Sequence, residues 1–466
     1  MTAHDLAAFS AGSLTDAYQR GALSPVEVLE ATLAHTEAVN PVVNALFSVR
    51  PEEARAAARA SETRWRAGTP LGPLDGVPTT VKDSVAMVGW PYFHGIGANR
   101  DAPASTFDSP PAARLKEGGA VIFAKTTMPD GGLLAAGVSS LFGITRNPWG
   151  LAFNTGGSSA GAGASLACGL GVVSVGSDIA GSVRLPAGHC GLAALKPTQG
   201  RIAHLSSDIM RSAGPMGRTI GDIAAMLTVI GQPDSRDAWC LPGEGIAYQD
   251  RLDRDLTGVR IGVLTDMGFG PKAEAAVIAV VEAAGRALAG MGAIVEPMPA
   301  LMDFDAYAAI DRVLQVRGLA EYRALPPHGP GDVTATVFDW CKPAEHYTAL
   351  DQSAAMLEIA RIRARVFAAC DGFDYVISPT LPMVNFAAEA PCVDPAVPLG
   401  HATFTALFNQ TGQPASSVCF GFDDRRLPIG VQVVGQRFDD LGVLQVSRAL
   451  ETARPAPMDW PVEPRA

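Results

Sequence analysis

The sequence predicts an α/β protein, a single large domain with a central mixed β-sheet covered by helices on both faces. Three observations predict it. From about residue 72 onward, short apolar runs alternate with helical patterns, the signature of a sheet with helices packed on each side. The chain has 466 residues, 48% of them hydrophobic and 18% charged, which suits a folded core and excludes a disordered chain. No polar or Pro/Ser-rich linker separates two self-contained patterns, so a single domain with embellishments is expected rather than several.

Taken in order, the first element is announced by Ser24-Pro25-Val26-Glu27. Here an N-cap serine, a proline at the first helical position and a glutamate at N3 precede Val26, Leu29 and Leu33 at helical spacing. This helix is expected to end near Asn40-Pro41. A second, rich in Ala, Glu and Arg, follows Pro51 and stops near Gly68. Residues 1–70 thus read as an N-terminal helical region packed on the core, and 71–466 as the main domain. Strands are expected at 77–81, 120–124, 172–175, 259–264, 293–295, 375–378 and 430–434, with helices between them at 110–117, 159–168, 272–291, 345–370 and 440–451. The Pro/Asp-rich stretch 231–258 is the best candidate for a boundary. It reads as a surface excursion within one domain, because apolar strand signals resume directly after it.

Charge and cysteine content exclude several classes of function. Thirty-six Lys and Arg against 47 Asp and Glu give a net charge of −11, without a basic block or tail. Binding to nucleic acid or an anionic membrane, which relies on clustered cations, is therefore not expected. The seven cysteines are widely spaced with no CxxC pair, which reads as reduced thiols in a cytoplasmic protein without a zinc site. The N-terminus carries an acidic residue among its first five and no apolar core of a secretory signal. The least polar stretch, 160–176, consists of Gly, Ala and Ser with few large apolar side chains, too weak for a membrane span.

The chemistry concentrates in residues 155–201, which contain Gly156-Gly157-Ser158-Ser159 and, further on, Asp178-Ile179-Ala180-Gly181-Ser182-Val183-Arg184. A dinucleotide fingerprint fails, because Leu166 stands where the third glycine of Gly161-x-Gly163 should be, and a Walker loop fails for want of Gly-Lys-Ser/Thr. Gly157-Ser158-Ser159-Ala160-Gly161 matches the GxSxG nucleophile elbow, with Ser159 central. That elbow must end a buried strand, and the preceding 147–155 is not one. Glycines that merely let a helix pack close to a sheet do not account for two serine-bearing glycine turns. Nor do they account for Lys82, which ends the strand-like Gly76-Val77-Pro78-Thr79-Thr80-Val81. A lysine in that position lies most often on a solvated face; beside the serines it becomes a candidate base.

These pieces resemble the amidase signature family of amidohydrolases, which carries the Gly-Gly-Ser-Ser segment, the Asp-x-x-Gly-Ser-x-Arg turn and the upstream lysine. The resemblance extends through Leu141-Phe142-Gly143-Ile144-Thr145-Arg146-Asn147-Pro148-Trp149, Gly214-Pro215-Met216-Gly217-Arg218-Thr219, FTALFNQTGQP at 404–414 and Leu427-Pro428-Ile429-Gly430-Val431-Gln432. It implies the amidase signature fold over 71–466, Ser182 as nucleophile, Ser158 as the bridging serine, often in a cis peptide in this family, and Lys82 as base. It further implies an oxyanion hole from the backbone amides of Ile179, Ala180, Gly181 and Ser182, and places Met128 and Asp130 in a loop that lines the acyl pocket. The chemistry stands without the family: a serine hydroxyl needs an adjacent base, and a lysine serves as one only when burial keeps it neutral. Asp178 and Arg184 flank the turn and read as a structural pair. His94 and His189 read as packing or hydrogen-bonding histidines.

The expected activity is hydrolysis of a carboxamide through an acyl-enzyme, releasing ammonia or an amine, with no metal or organic cofactor. The partner is a small-molecule amide, and the N-terminal helices offer a surface for a homodimer. Many family members have Gly where this chain has Ala180, a difference that bears on substrate range. One rival is the A subunit of a glutamyl-tRNA amidotransferase. Those proteins typically read Ser-Ile-Arg-Gln-Pro where this chain has Ser182-Val183-Arg184-Leu185-Pro186, and they carry a longer segment before Gly-Pro-Met. A non-catalytic scaffold of the same fold is the other rival. The pocket is expected to draw on 300–351, with Phe338, Trp340 and Tyr347 as aromatic candidates for its wall.

Overall fold

The computed structural model describes residues 1–465. In chain order the strands are β1 (Leu46–Phe47), β2 (Pro78–Lys82), β3 (Val121–Thr126), β4 (Val138–Ser139), β5 (Gly143–Ile144), β6 (Val173–Asp178), β7 (Ala193–Lys196), β8 (Ser212–Gly217), β9 (Arg260–Val263), β10 (Ile294–Pro297), β11 (Tyr375–Pro379), β12 (Ala415–Phe422) and β13 (Pro428–Gly435). The helices are α1 (Ala3–Ala8), α2 (Ala11–Gln19), α3 (Pro25–Val43), α4 (Pro51–Ala67), α5 (Pro110–Glu117), α6 (Ala160–Ala167), α7 (Arg184–Cys190), α8 (Ile220–Ile230), α9 (Ala275–Gly290), α10 (Tyr307–Arg323), α11 (Ala335–Cys341), α12 (Ala349–Cys370), α13 (Thr403–Gln410) and α14 (Asp440–Ala453). None of them is long and apolar enough to cross a membrane, among the described residues.

One 11-stranded sheet runs in the order β1-β3-β2-β6-β8-β7-β12-β13-β11-β9-β10, while β4 and β5 pair separately. It is mixed: β3, β2 and β6 lie parallel, as do β11, β9 and β10, whereas β6-β8, β8-β7, β7-β12, β12-β13 and β13-β11 are antiparallel. Successive residues of a strand face opposite sides. Ala193 and Leu195 of β7 join a core with α8, α9 and α14, while Leu192 and Ala194 pack with α6 and α7. A third apolar cluster gathers α10, α11, α12 and α13 over the far end of the molecule. The result is one domain, a large mixed sheet flanked by helices on both faces.

All seven expected strands are present, and the predicted capping box of α3 is made, Glu27 N–H donating to Ser24 Oγ at 3.1 Å and Ser24 N–H to Glu27 Oε2 at 2.8 Å. The helix nevertheless runs through Pro41 to Val43. A proline in the last turn removes one donor, and the end is set three residues later by Asn44, which is left-handed (φ 51°) and donates its N–H to Asn40 O. The 345–370 helix is in fact two pieces, because Thr348 caps a fresh N-terminus at α12. Residues 1–70 also give the sheet an edge strand, β1 pairing antiparallel with β3.

Candidate active site

The parallel pairing of β2 with β6 (Thr79 opposite Val173, Val81 opposite Val175) brings their carboxyl ends to one edge of the sheet, where open α/β sheets bind ligands. Lys82 is the last residue of β2, and Ser177 and Asp178 end β6. The chain then turns through Ile179-Ala180-Gly181-Ser182 into α7, while the Gly157-Ser158-Ser159 turn leads into α6 on the same side. The two turns are tied together by Ser159 N–H, which donates to Ser182 O at 3.0 Å. On its other side α6 lies directly on the main chain at Ala45 and Thr127, which Gly161 permits, since a Cβ there would lie 2.2 Å from Ala45 O and 2.4 Å from Thr127 N.

Lys82 is fully buried. Its Nζ lies 2.8 Å from Ser158 Oγ, 3.0 Å from Ser159 Oγ and 3.3 Å from Ser177 Oγ, with Ser177 O more distant at 3.4 Å. The peptide between Gly157 and Ser158 is cis. Burial pushes the Lys82 ammonium down to about 7; Asp178 and Asp83 work against this, and Arg211 works with it. A narrow cleft opens over the group, lined by Ser158, Ser177 and Ser182 together with Ser84, Met128, Leu133 and Ile179. His94, Arg211, Arg317, Gly131 and Gly132 complete the wall.

The turn beneath Ser182 is held by a buried ion pair. Arg184 donates to Asp178 through Nε (3.0 Å) and Nη2 (2.9 Å), and to Gln432 Oε1 (2.7 Å), Asn409 Oδ1 (2.6 Å) and Thr405 O (3.1 Å). Burial raises the Asp178 carboxyl, but the Arg184 charge and the bonds from Arg184 and Asn409 more than reverse this and hold it well below the usual range. The same carboxylate accepts the N–H of Gly181 at 2.7 Å and of Val183 at 3.2 Å. The Gly181 amide is thus committed to Asp178 and does not face the cleft as a free donor. Among the described residues the amides of Ile179, Ala180 and Ser182 have no acceptor.

The model for the amidase family matches residues 27–444. An acylamidase from Rhodococcus erythropolis is 32% identical over 98% of this chain and 97% of its own, and the A subunit of a glutamyl-tRNA(Gln) amidotransferase from Symbiobacterium thermophilum is 33% identical over 96% and 98%. Among solved structures, a bacterial aryl acylamidase of the amidase signature enzymes superposes with a TM-score of 0.87 at 28% identity, covering 96% of both chains. A 6-aminohexanoate cyclic dimer hydrolase does so with 0.86 at 30%, covering 98% of both. The chain belongs to the amidase family. It is a hydrolase acting on amide bonds.

In this amidase the other residues singled out from the sequence divide. Met128 is in the cleft wall, but Asp130 is not. Its buried carboxylate accepts from Ser140 N–H (2.8 Å), Ser140 Oγ (2.7 Å) and Thr334 N–H (2.7 Å), which ties its loop to the start of α11. His189 does not line the cleft; its Nδ1 lies 2.9 Å from Val384 O. His94, by contrast, lines it, and burial together with nearby cations pushes its imidazole down to about 3, so it is neutral. None of Phe338, Trp340 and Tyr347 reaches the cleft; from 300–351 it takes Arg317 of α10 instead. Ser84, Ser177, Arg211 and Arg317 escaped the sequence reading. Ser84 and Ser177 stand within two residues of Lys82 and Asp178, a signal that could have found them; Arg211, isolated in Asp208-Ile209-Met210-Arg211, offers none. No group of three or more His, Cys, Asp or Glu side chains is gathered to hold a metal ion among the described residues.

Proposed function

We propose that this amidase hydrolyses carboxamides through an acyl-enzyme on Ser182, with Ser158 as the bridging serine and Lys82 as the base. The observation that carries the reading is the 2.8 Å contact between Lys82 Nζ and Ser158 Oγ inside a buried site whose cleft also exposes Ser182. Neutral Lys82 takes the Ser158 proton as Ser158 takes that of Ser182, and Ser182 Oγ adds to the substrate carbonyl. The developing oxyanion is met by main-chain N–H groups of the turn, Ile179, Ala180 and Ser182 having theirs free, each such donor contributing about 3 kcal/mol in other hydrolases. As the C–N bond breaks, the proton returns from Lys82 through Ser158 to the leaving amine. Water, deprotonated by the same relay, then hydrolyses the ester and frees Ser182.

The test is labelling with a fluorophosphonate probe, the adduct being located by peptide mass spectrometry. Adduct on Ser182 that disappears in Lys82→Ala is expected; adduct on Ser159 would sink the proposal. The 33% identity to the amidotransferase protein favours a second reading, a glutaminase that works within a complex. Glutaminase activity measured with and without partner proteins separates the two, and activity of the chain alone on other amides supports the free-standing enzyme.

A further inference from the structure

The cleft holds two guanidinium groups in very different circumstances. Arg317 is paired twice, with Asp208 through Nη1 and with Glu321 through Nε at 3.0 Å. Arg211, on the segment leading into β8, forms no ion pair among the described residues. Its Nη2 donates to Ser206 O (2.8 Å) and Ser206 Oγ (3.2 Å), and its buried Nε has no partner. Two imidazoles close by are in the same state. His94 Nε2 and both ring nitrogens of the 2% exposed His204 lack partners, and the Arg211 charge is among the causes that hold both imidazoles neutral. Three others of the lining side chains, Met128, Leu133 and Ile179, are apolar. The cleft therefore combines apolar side chains with one guanidinium that has an unused donor and no acid, while the nearby carboxylates of Asp208 and Glu321 are taken by Arg317.

We infer that the substrates this cleft is built for are small amides bearing a carboxylate a short distance from the scissile carbonyl, with Arg211 as the residue that holds it. This rests on the amide-hydrolysing reading of the same cleft. A guanidinium offers a carboxylate charge-assisted hydrogen bonds, and an uncharged amide leaves its buried N–H groups unpaired. The paired state of Arg317 argues against cationic substrates, which would need a free acid. The carboxylate can sit on the acyl part, as in a dicarboxylic acid monoamide, or on the amine part, as in an N-acyl amino acid. The contact is made equally in ground and transition states, so it acts on KM more than on kcat.

The test compares glutaramate, N-butyrylglycine and uncharged pentanamide as substrates of the whole chain, in wild type, Arg211→Met and Arg211→Lys. One charged substrate is expected to exceed pentanamide in kcat/KM by about 10- to 100-fold, mostly through KM. That ratio should collapse in Arg211→Met and return in part in Arg211→Lys; which charged substrate wins tells the acyl side from the amine side. A second measurement needs neither turnover nor a variant: glutarate should slow fluorophosphonate labelling of wild-type Ser182, and 1,5-pentanediol at the same concentration should not. Pentanamide turned over as fast as both charged amides, a ratio that survives Arg211→Met, or absent protection by glutarate would overturn the assignment of Arg211. Wild type that neither labels at Ser182 nor hydrolyses any amide would instead overturn the underlying reading, and the inference with it.

Discussion

The reactivity of Ser182 should follow the protonation of Lys82, rising with pH about a midpoint near 7. Lysine accepts a proton only when neutral, and burial in a site without an ion-pair partner for Lys82 pushes its ammonium from 10.5 down to about 7. A lysine that kept its ordinary value would be neutral in roughly one molecule in 3,000 at pH 7; at the shifted value about half of the molecules are ready. Protonation disables the base, so reactivity must rise with pH: about a tenth of the plateau at pH 6, about half at pH 7 and about nine-tenths at pH 8. The assay is the second-order rate of fluorophosphonate labelling at Ser182 between pH 5 and 9, which requires no knowledge of the natural substrate. A rate flat over that range, or one still climbing steeply at pH 9, would refute the argument that burial supplies the base.

Three further outcomes follow from the same geometry. Under the proposed relay, Ser158→Ala should slow labelling by about 10²- to 10⁴-fold, the range for a lost proton-transfer group, whereas Ser159→Ala removes one hydrogen bond to Lys82 and should cost less than about tenfold, both read from labelling rates. Gly181→Ala forces a side chain onto φ 127° and puts its Cβ 2.3 Å from Thr405 Oγ1, so urea unfolding should show a loss of at least about 1–3 kcal/mol together with slower labelling. Lys125→Met leaves the Asp83 carboxylate buried without its cation, 3.8 Å away in the native protein, and should lower stability by about 3–5 kcal/mol in the same experiment.

What could be read from the sequence follows from how local each signal is. The strands that carry Lys82 and Asp178 begin in short runs rich in Val, with Thr in β2 and Ser in β6, and were legible. β8 (Ser-Ala-Gly-Pro-Met-Gly) and β7 were not, because small residues and a proline form strands there only with β6 and β12 on either side. Lys82, Ser158 and Ser182 could be named because each sits in a short motif. The commitment of the Gly181 amide could not, because it depends on the direction of one peptide plane: Ala180 O accepts from Thr405 Oγ1 at 2.6 Å, which turns the Gly181 N–H toward Asp178. Arg211 is likewise a tertiary fact, since what marks it is the acid it lacks, and Asp208, only three residues away, is bound to Arg317 from another part of the chain.

Lys82 and Lys125 show why one buried lysine suits a base and its neighbour does not. Lys82 ends β2 and Lys125 is the last residue but one of the adjacent parallel β3, Val81 lying opposite Lys125 in the ladder, and both are fully buried. Lys125 Nζ donates to three carbonyls, Asp83 O at 3.2 Å, Val85 O at 3.0 Å and Pro91 O at 2.8 Å, beside the Asp83 carboxylate. Carbonyl oxygens only accept, so this cage demands three N–H groups and holds the ammonium; burial lowers it only to about 8, with Asp83 opposing. Around Lys82 the three nearest partners are hydroxyls, which donate as readily as they accept. Its nitrogen is hydrogen-bonded whether it carries three protons or two, so neither state leaves a buried group unpaired. Two lysines with the same burial and nearly the same place in the sheet thus differ in how well their surroundings accommodate the loss of a proton, and the difference lies in the serines supplied by the Gly157-Ser158-Ser159 turn and the end of β6.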